Sequence, residues 1–139
     1  MTNEEIKTKI RDYCATRPEI VACYLYGSRA TRKAHPGSDV DLAFLVDNSV
    51  SKQTISTLKM VYYSEVSQFV RLDIHILIMN EAGELVLGEV LREGVLLHVK
   101  HEDILEQFRN RKIPLIAEFS YYSDLFRHKL VERYGGKDG

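Results

Sequence analysis

Apolar residues along this chain keep two rhythms, one of three to four residues and one of two, with short polar or glycine-bearing breaks between them. Ile6, Ile10, Tyr13 and Cys14 form a helical stripe behind Thr2-Asn3-Glu4-Glu5, which has the spacing of a capping box. Arg17-Pro18 ends that helix, because a proline pushes the residue before it out of helical backbone. Residues 20–26, rich in Val, Ile and Tyr, predict a first strand. Ser28 is placed to cap a short basic helix to about Lys33, and His35-Pro36-Gly37-Ser38 predicts a loop. A second strand is expected over 39–46, broken by Asp47-Asn48-Ser49. Ile55, Leu58, Tyr62, Val66 and Phe69 then predict a helix across 51–69.

A third strand is expected over 71–79, with Leu72, Ile74, Ile76 and Ile78 on one side and Asp73, His75 and Leu77 on the other. Residues 82–93 read as a helix stopped by Gly94, and 95–99 as a short closing strand. From 102 to 134 the pattern is helical again, with a stripe of Leu115, Phe119, Tyr122, Phe126 and Leu130. Pro114 is expected to break or kink this helix, since a mid-helix proline loses a hydrogen bond and clashes with the preceding turn. The glycine-rich 135–139 is expected to fray.

Helices and strands in this order predict an α/β (α+β) fold: a mixed sheet of about four strands flanked by helices, with a C-terminal helical extension. At 139 residues the chain is expected to be a single domain over 1–139, its core at about 1–99 and its extension at about 102–134. The aromatic stripe of that extension is expected to pack on the chain's own core, with a dock for a helical partner or a second copy as the alternative. Nineteen Lys plus Arg against 20 Asp plus Glu leave no broad basic field, which argues against nucleic acid as a direct substrate. Cys14 and Cys23 follow no metal or redox spacing and read as reduced core residues. No apolar run approaches the roughly 18 residues needed to span a bilayer, so a cytoplasmic protein without membrane contact is expected.

The chemistry concentrates between the first two strands. Gly27-Ser28 ends one apolar run, ten residues intervene, and Asp39-Val40-Asp41 opens the next. Alternate strand residues point the same way, so Asp39 and Asp41 share a side. Carboxylates that close repel unless a cation lies between them, and hard oxygens suit Mg²⁺. Ser28 and neighbouring N–H groups at a helix start suit phosphate oxygens, with Arg29, Arg32 and Lys33 nearby. If Asp73 comes from an adjacent strand, three carboxylates meet beside one turn, a set that suits two-metal phosphoryl or nucleotidyl transfer. His75, two residues on, either tunes Asp73 or is a packed histidine.

Gly27-Ser28, a ten-residue gap, Asp39-x-Asp41 and the later Asp73 together resemble the signature of the DNA polymerase beta-like nucleotidyltransferase superfamily. The short length resembles its minimal nucleotidyltransferase (MNT) group, in particular the MNT antitoxins that accompany HEPN-domain toxins. The resemblance implies that Asp39, Asp41 and Asp73 are catalytic and hold two Mg²⁺ ions, while Gly27, Ser28 and Arg29 bind the nucleotide. It further implies transfer of AMP from ATP to a hydroxyl, thought to be a tyrosine, of a partner HEPN ribonuclease toxin. Two alternatives stand beside this reading: an antitoxin that neutralises by binding alone, and a nucleotidyltransferase acting on a small molecule such as an aminoglycoside. A homo-oligomer is left open.

Overall fold

The computed structural model describes residues 1–135, with side chains through Arg133. The fraying expected at the chain end falls, from 136 onward, outside the described residues. Helix α1 (Asn3–Ala15) begins where the Thr2 hydroxyl accepts a hydrogen bond from the Glu5 N–H at 3.1 Å, and it buries Ile6, Ile10 and Cys14. Strand β1 (Ile20–Tyr26) follows, then β2 (Val40–Val46), α2 (Lys52–Ser67), β3 (Ile74–Ile78), α3 (Glu84–Glu93), β4 (Val95–Val99) and α4 (Glu102–Leu130).

The four strands form one mixed sheet in the order β3-β2-β1-β4. β1 lies antiparallel to both β2 and β4, whereas β2 and β3 run parallel. Period-two alternation divides β2 between the two sheet faces. Val40, Leu42, Phe44 and Val46 pack with Ile74, Ile76 and Ile78 against α1 and α2, where the Phe44 and Tyr62 rings lie 4.9 Å apart. Ala43 and Leu45 face the other way, onto Leu87 and Val90 of α3 and Leu105 and Phe108 of α4. Burying each large apolar side chain contributes on the order of 2 kcal/mol, so both faces hold the sheet from slipping by one residue.

At the end of β1 far from Tyr26, a polar cluster ties α1 to α2. The Tyr62 hydroxyl donates to Glu19 at 2.6 Å, Arg17 donates to Glu19 at 3.0 Å, and the Tyr13 hydroxyl donates to Glu65 at 2.6 Å. Burial acts to raise the Glu19 carboxyl, but these hydrogen bonds and the Arg17 charge outweigh it and hold the group below its ordinary value.

Three elements differ from expectation. Instead of a helix from Ser28 to Lys33 there is one 3₁₀ turn, Gly27–Arg29, followed by a loop in which Arg32 takes φ 62°. The expected third strand is shorter at its start, because Arg71, Leu72 and Asp73 precede the first paired residue, Ile74. Helix α4 is not broken by Pro114. It runs for 29 residues and continues as a π turn over Val131–Gly135. Asn110 and Pro114 are both exposed, so the carbonyl that the proline cannot serve is open to water.

The aromatic stripe of α4 is likewise not core. Leu105 and Phe108 are its buried residues, whereas Leu115, Phe119, Tyr122, Phe126 and Leu130 are exposed. The stripe could not reveal this from its period, since an apolar helix face looks the same whether its partner is in the chain or outside it. No helix among the described residues is long and apolar enough to cross a membrane.

Candidate active site

The alternation that sends Ala43 and Leu45 towards α3 and α4 also sends Asp41 and Asp39 to that face. Cover thins along it: Ala43 is buried, Asp41 half-buried and Asp39 exposed. A pair of carboxylates thus lies at the open end of an otherwise apolar layer.

Gly27 is built against this pair. It leaves β1 directly after Tyr26, which is the register partner of Asp41, and takes φ +72°, a left-handed conformation that glycine adopts without strain. A β-carbon at this position would collide with Oδ2 of Asp41. Gly27 therefore serves two needs at once: it turns the chain, and it lets the backbone touch a carboxylate. Its carbonyl accepts the Ala30 N–H at 3.1 Å, which closes the 3₁₀ turn. Ser28 is half-buried in the same turn, and its hydroxyl has no hydrogen-bond partner among the described residues.

The electrostatics of this corner are those of surplus negative charge. Burial, with repulsion from Asp39 and Glu89, raises the Asp41 carboxyl above its ordinary value, against the opposing pull of His75. Tyr26 is pushed up to about 12 by burial and by the Asp41 and Glu89 carboxylates. The parallel register sets His75 opposite Asp41, and its Nε2 lies 3.0 Å from Oδ2 of Asp39. Two carboxylates held close beside a turn that only glycine fits are a donor set of hard oxygens, which suits a divalent cation such as Mg²⁺.

The remaining expected residues fall out differently. Among the described residues no three His, Cys, Asp or Glu side chains form a group able to hold one ion. Asp73 lies just before β3, where its main-chain carbonyl accepts the Val40 N–H at 2.8 Å. Arg29 is not presented to a ligand. It is only 6% exposed, and its guanidinium donates to Asn3 Oδ1 at 2.6 Å, to the Pro36 carbonyl at 3.1 Å and twice to the Ser38 carbonyl at 2.9 and 3.1 Å. Those four bonds pin the 35–38 loop to the start of α1. Arg32 and Lys33 are exposed.

Two neighbours of the pair were not assigned to it from sequence, Glu89 and the His75 contact with Asp39. Strand period placed His75 on the polar face but not the register that brings it to Asp39. Nothing in the α3 pattern alone turns Glu89 towards β2. Beyond His75, an open and mainly apolar groove of about 530 Å³ runs past Ile74 and Ile76 to Met60 and Tyr63 of α2.

Residues 8–103 match the family model for polymerase beta, nucleotidyltransferase. Among solved structures, the chain is similar to the toxin–antitoxin MntA–HepT, at 18% identity and a TM-score of 0.60, over 98% of this chain and 97% of that one. It is also similar to a chain in a complex of the tri-AMPylated Shewanella oneidensis HEPN toxin with MNT antitoxin, at 17% identity and 0.59, over 99% and 97% of the two chains. A toxin–antitoxin structure with AMP-PNP matches at 21% identity and 0.56, again over 99% and 97%. At these identities the likeness speaks for the fold. A search of curated proteins returned no match.

Proposed function

The chain belongs to the polymerase beta nucleotidyltransferase family, and from that premise we propose that it transfers AMP from ATP to a hydroxyl of a partner HEPN-domain toxin, acting as an antitoxin in the cytoplasm. The observation that carries this reading is the fit of Gly27 against Asp41 beside Asp39, a carboxylate pair and a turn that no side chain other than glycine's hydrogen would allow. The partner is supported by the resemblance of the whole chain to antitoxin structures, one of them with an AMPylated toxin.

In this reading Asp39 and Asp41 would hold Mg²⁺ together with the triphosphate. Bound Mg²⁺ supplies positive charge that draws in the triphosphate and offsets the charge of the departing pyrophosphate. Gly27 gives the triphosphate close access to backbone, and the Ser28 hydroxyl, without a protein partner, is free to donate to a phosphate oxygen. An acceptor hydroxyl attacks the α-phosphorus and gives up its proton to solvent, its oxygen–phosphorus bond forms as the bond to the β-phosphate oxygen breaks, and pyrophosphate leaves. Neither Asp73 nor Arg29 carries a role at the nucleotide in this scheme.

A second reading has an observation of its own. The exposed apolar stripe of α4, from Leu115 to Leu130, is a surface that a helical partner would cover, and occlusion of a toxin could proceed through it without chemistry. Co-expression separates the two readings. If transfer neutralises the toxin, Asp39→Ala with Asp41→Ala loses protection while still binding it. If binding suffices, the double variant protects as well as the wild type.

A further inference from the structure

The family site leaves open what steadies Asp39, the more exposed of the two carboxylates. An exposed aspartate at a strand start has free rotation about two side-chain bonds, and a metal ligand that must be immobilised on binding costs affinity. His75 meets it: its Nε2 stands 3.0 Å from Oδ2 of Asp39 across the parallel β2–β3 register. An ionised carboxylate has no proton to give, so the imidazole is the donor and Asp39 the acceptor. That bond occupies one oxygen of Asp39 and leaves the other for a cation.

We propose that His75 is a positioning residue of the metal centre, fixing Asp39 by a hydrogen bond from Nε2. The inference rests on the reading of Asp39 and Asp41 as metal ligands. A hydrogen-bond partner on a ligating carboxylate sets its orientation, and loss of such a partner costs roughly 10- to 100-fold in metal affinity. Its exposed position on an edge strand means that substitution leaves the apolar core intact.

The test is Mn²⁺ binding, followed by calorimetry and electron paramagnetic resonance, with a non-hydrolysable ATP analogue present throughout. His75→Ala is expected to weaken Mn²⁺ roughly 10- to 100-fold, and His75→Gln, which keeps an N–H donor, to restore most of the affinity. Thermal melts of each variant confirm that the fold is kept. Wild-type affinity in His75→Ala, or no recovery in a folded His75→Gln, overturns the proposal. Nitrogen coupling in the Mn²⁺ spin-echo spectrum that vanishes in His75→Ala also overturns it, because the imidazole would then be a ligand rather than a positioning group. If the wild type binds no Mn²⁺ at all, the metal reading itself fails and this inference with it.

Discussion

Gly27 and Asp41 occupy adjoining space so tightly that a methyl group on the first would displace the carboxylate of the second. The left-handed backbone of Gly27 adds a separate obstacle, since φ +72° costs a residue with a side chain about 1–2 kcal/mol. Gly27→Ala is therefore expected to lower stability by about that amount and to reduce nucleotidyl transfer far more than the stability loss explains. Denaturant melts beside initial rates check this. Unchanged transfer in a folded Gly27→Ala would mean that the contact is not part of the site.

Asp41 carries a predicted conflict between stability and function. Its carboxyl is raised by burial and by the Asp39 and Glu89 charges, so the folded state holds the proton more tightly than the unfolded chain does. Stability must then fall as pH climbs from the ordinary aspartate value of 3.8 through the raised one, and the cost is fully present at neutral pH. Asp41→Asn removes that cost. Its melting temperature at pH 7 should exceed that of the wild type, with the gap closing below pH 4 as the wild-type group protonates. Transfer should be lost, and Mg²⁺ with an ATP analogue should stabilise the wild type but not the variant.

For Arg29, stability and nucleotide affinity separate two roles. A guanidinium bound to Asn3, Pro36 and Ser38 acts on the fold, so Arg29→Ala should cost about 1–3 kcal/mol by removing a buried charged group's hydrogen bonds to Asn3, Pro36 and Ser38. Lysine keeps the charge but not the fork, so Arg29→Lys should recover little of the loss. A raised KM for ATP at wild-type stability would instead mark a phosphate contact.

The exposed stripe of α4 gives the reverse pattern. Phe119→Ser, Tyr122→Ser and Phe126→Ser together should leave the melting temperature of the isolated chain nearly unchanged, because these side chains are exposed. Binding of the HEPN partner should weaken by tenfold or more, as expected for loss of aromatic anchors, roughly 2 kcal/mol or above. A melting temperature that drops instead would place the stripe in intramolecular packing.

Most of the fold was legible because its strands and helices carry clean periods. The β2 alternation told that Asp39 and Asp41 share a side, with Val40 and Leu42 on the other. Period alone stops at register: it set His75 on the polar face of its strand but could not tell that it meets Asp39, since that depends on the stagger of β3 against β2. The loop after Gly27 misled for a related reason. Its basic residues read as a helix face or a phosphate contact, but Arg29 turns inward to satisfy the carbonyls of Pro36 and Ser38, a demand invisible until the loop has folded back. The break expected at Pro114 and the core packing expected of the α4 stripe were both absent, because an exposed helix tolerates an unmet carbonyl and its period does not say whether its apolar face is covered.

The most direct measurement follows label from ATP. Purified chain is incubated with Mg²⁺, a HEPN-domain partner and ATP labelled on either the α- or the γ-phosphate. Label from the α-phosphate should appear on the partner, label from the γ-phosphate should leave in pyrophosphate, and both Asp39→Ala and chelation of Mg²⁺ should abolish transfer. Label arriving from the γ-phosphate, or equal labelling by wild type and Asp39→Ala, would contradict the account.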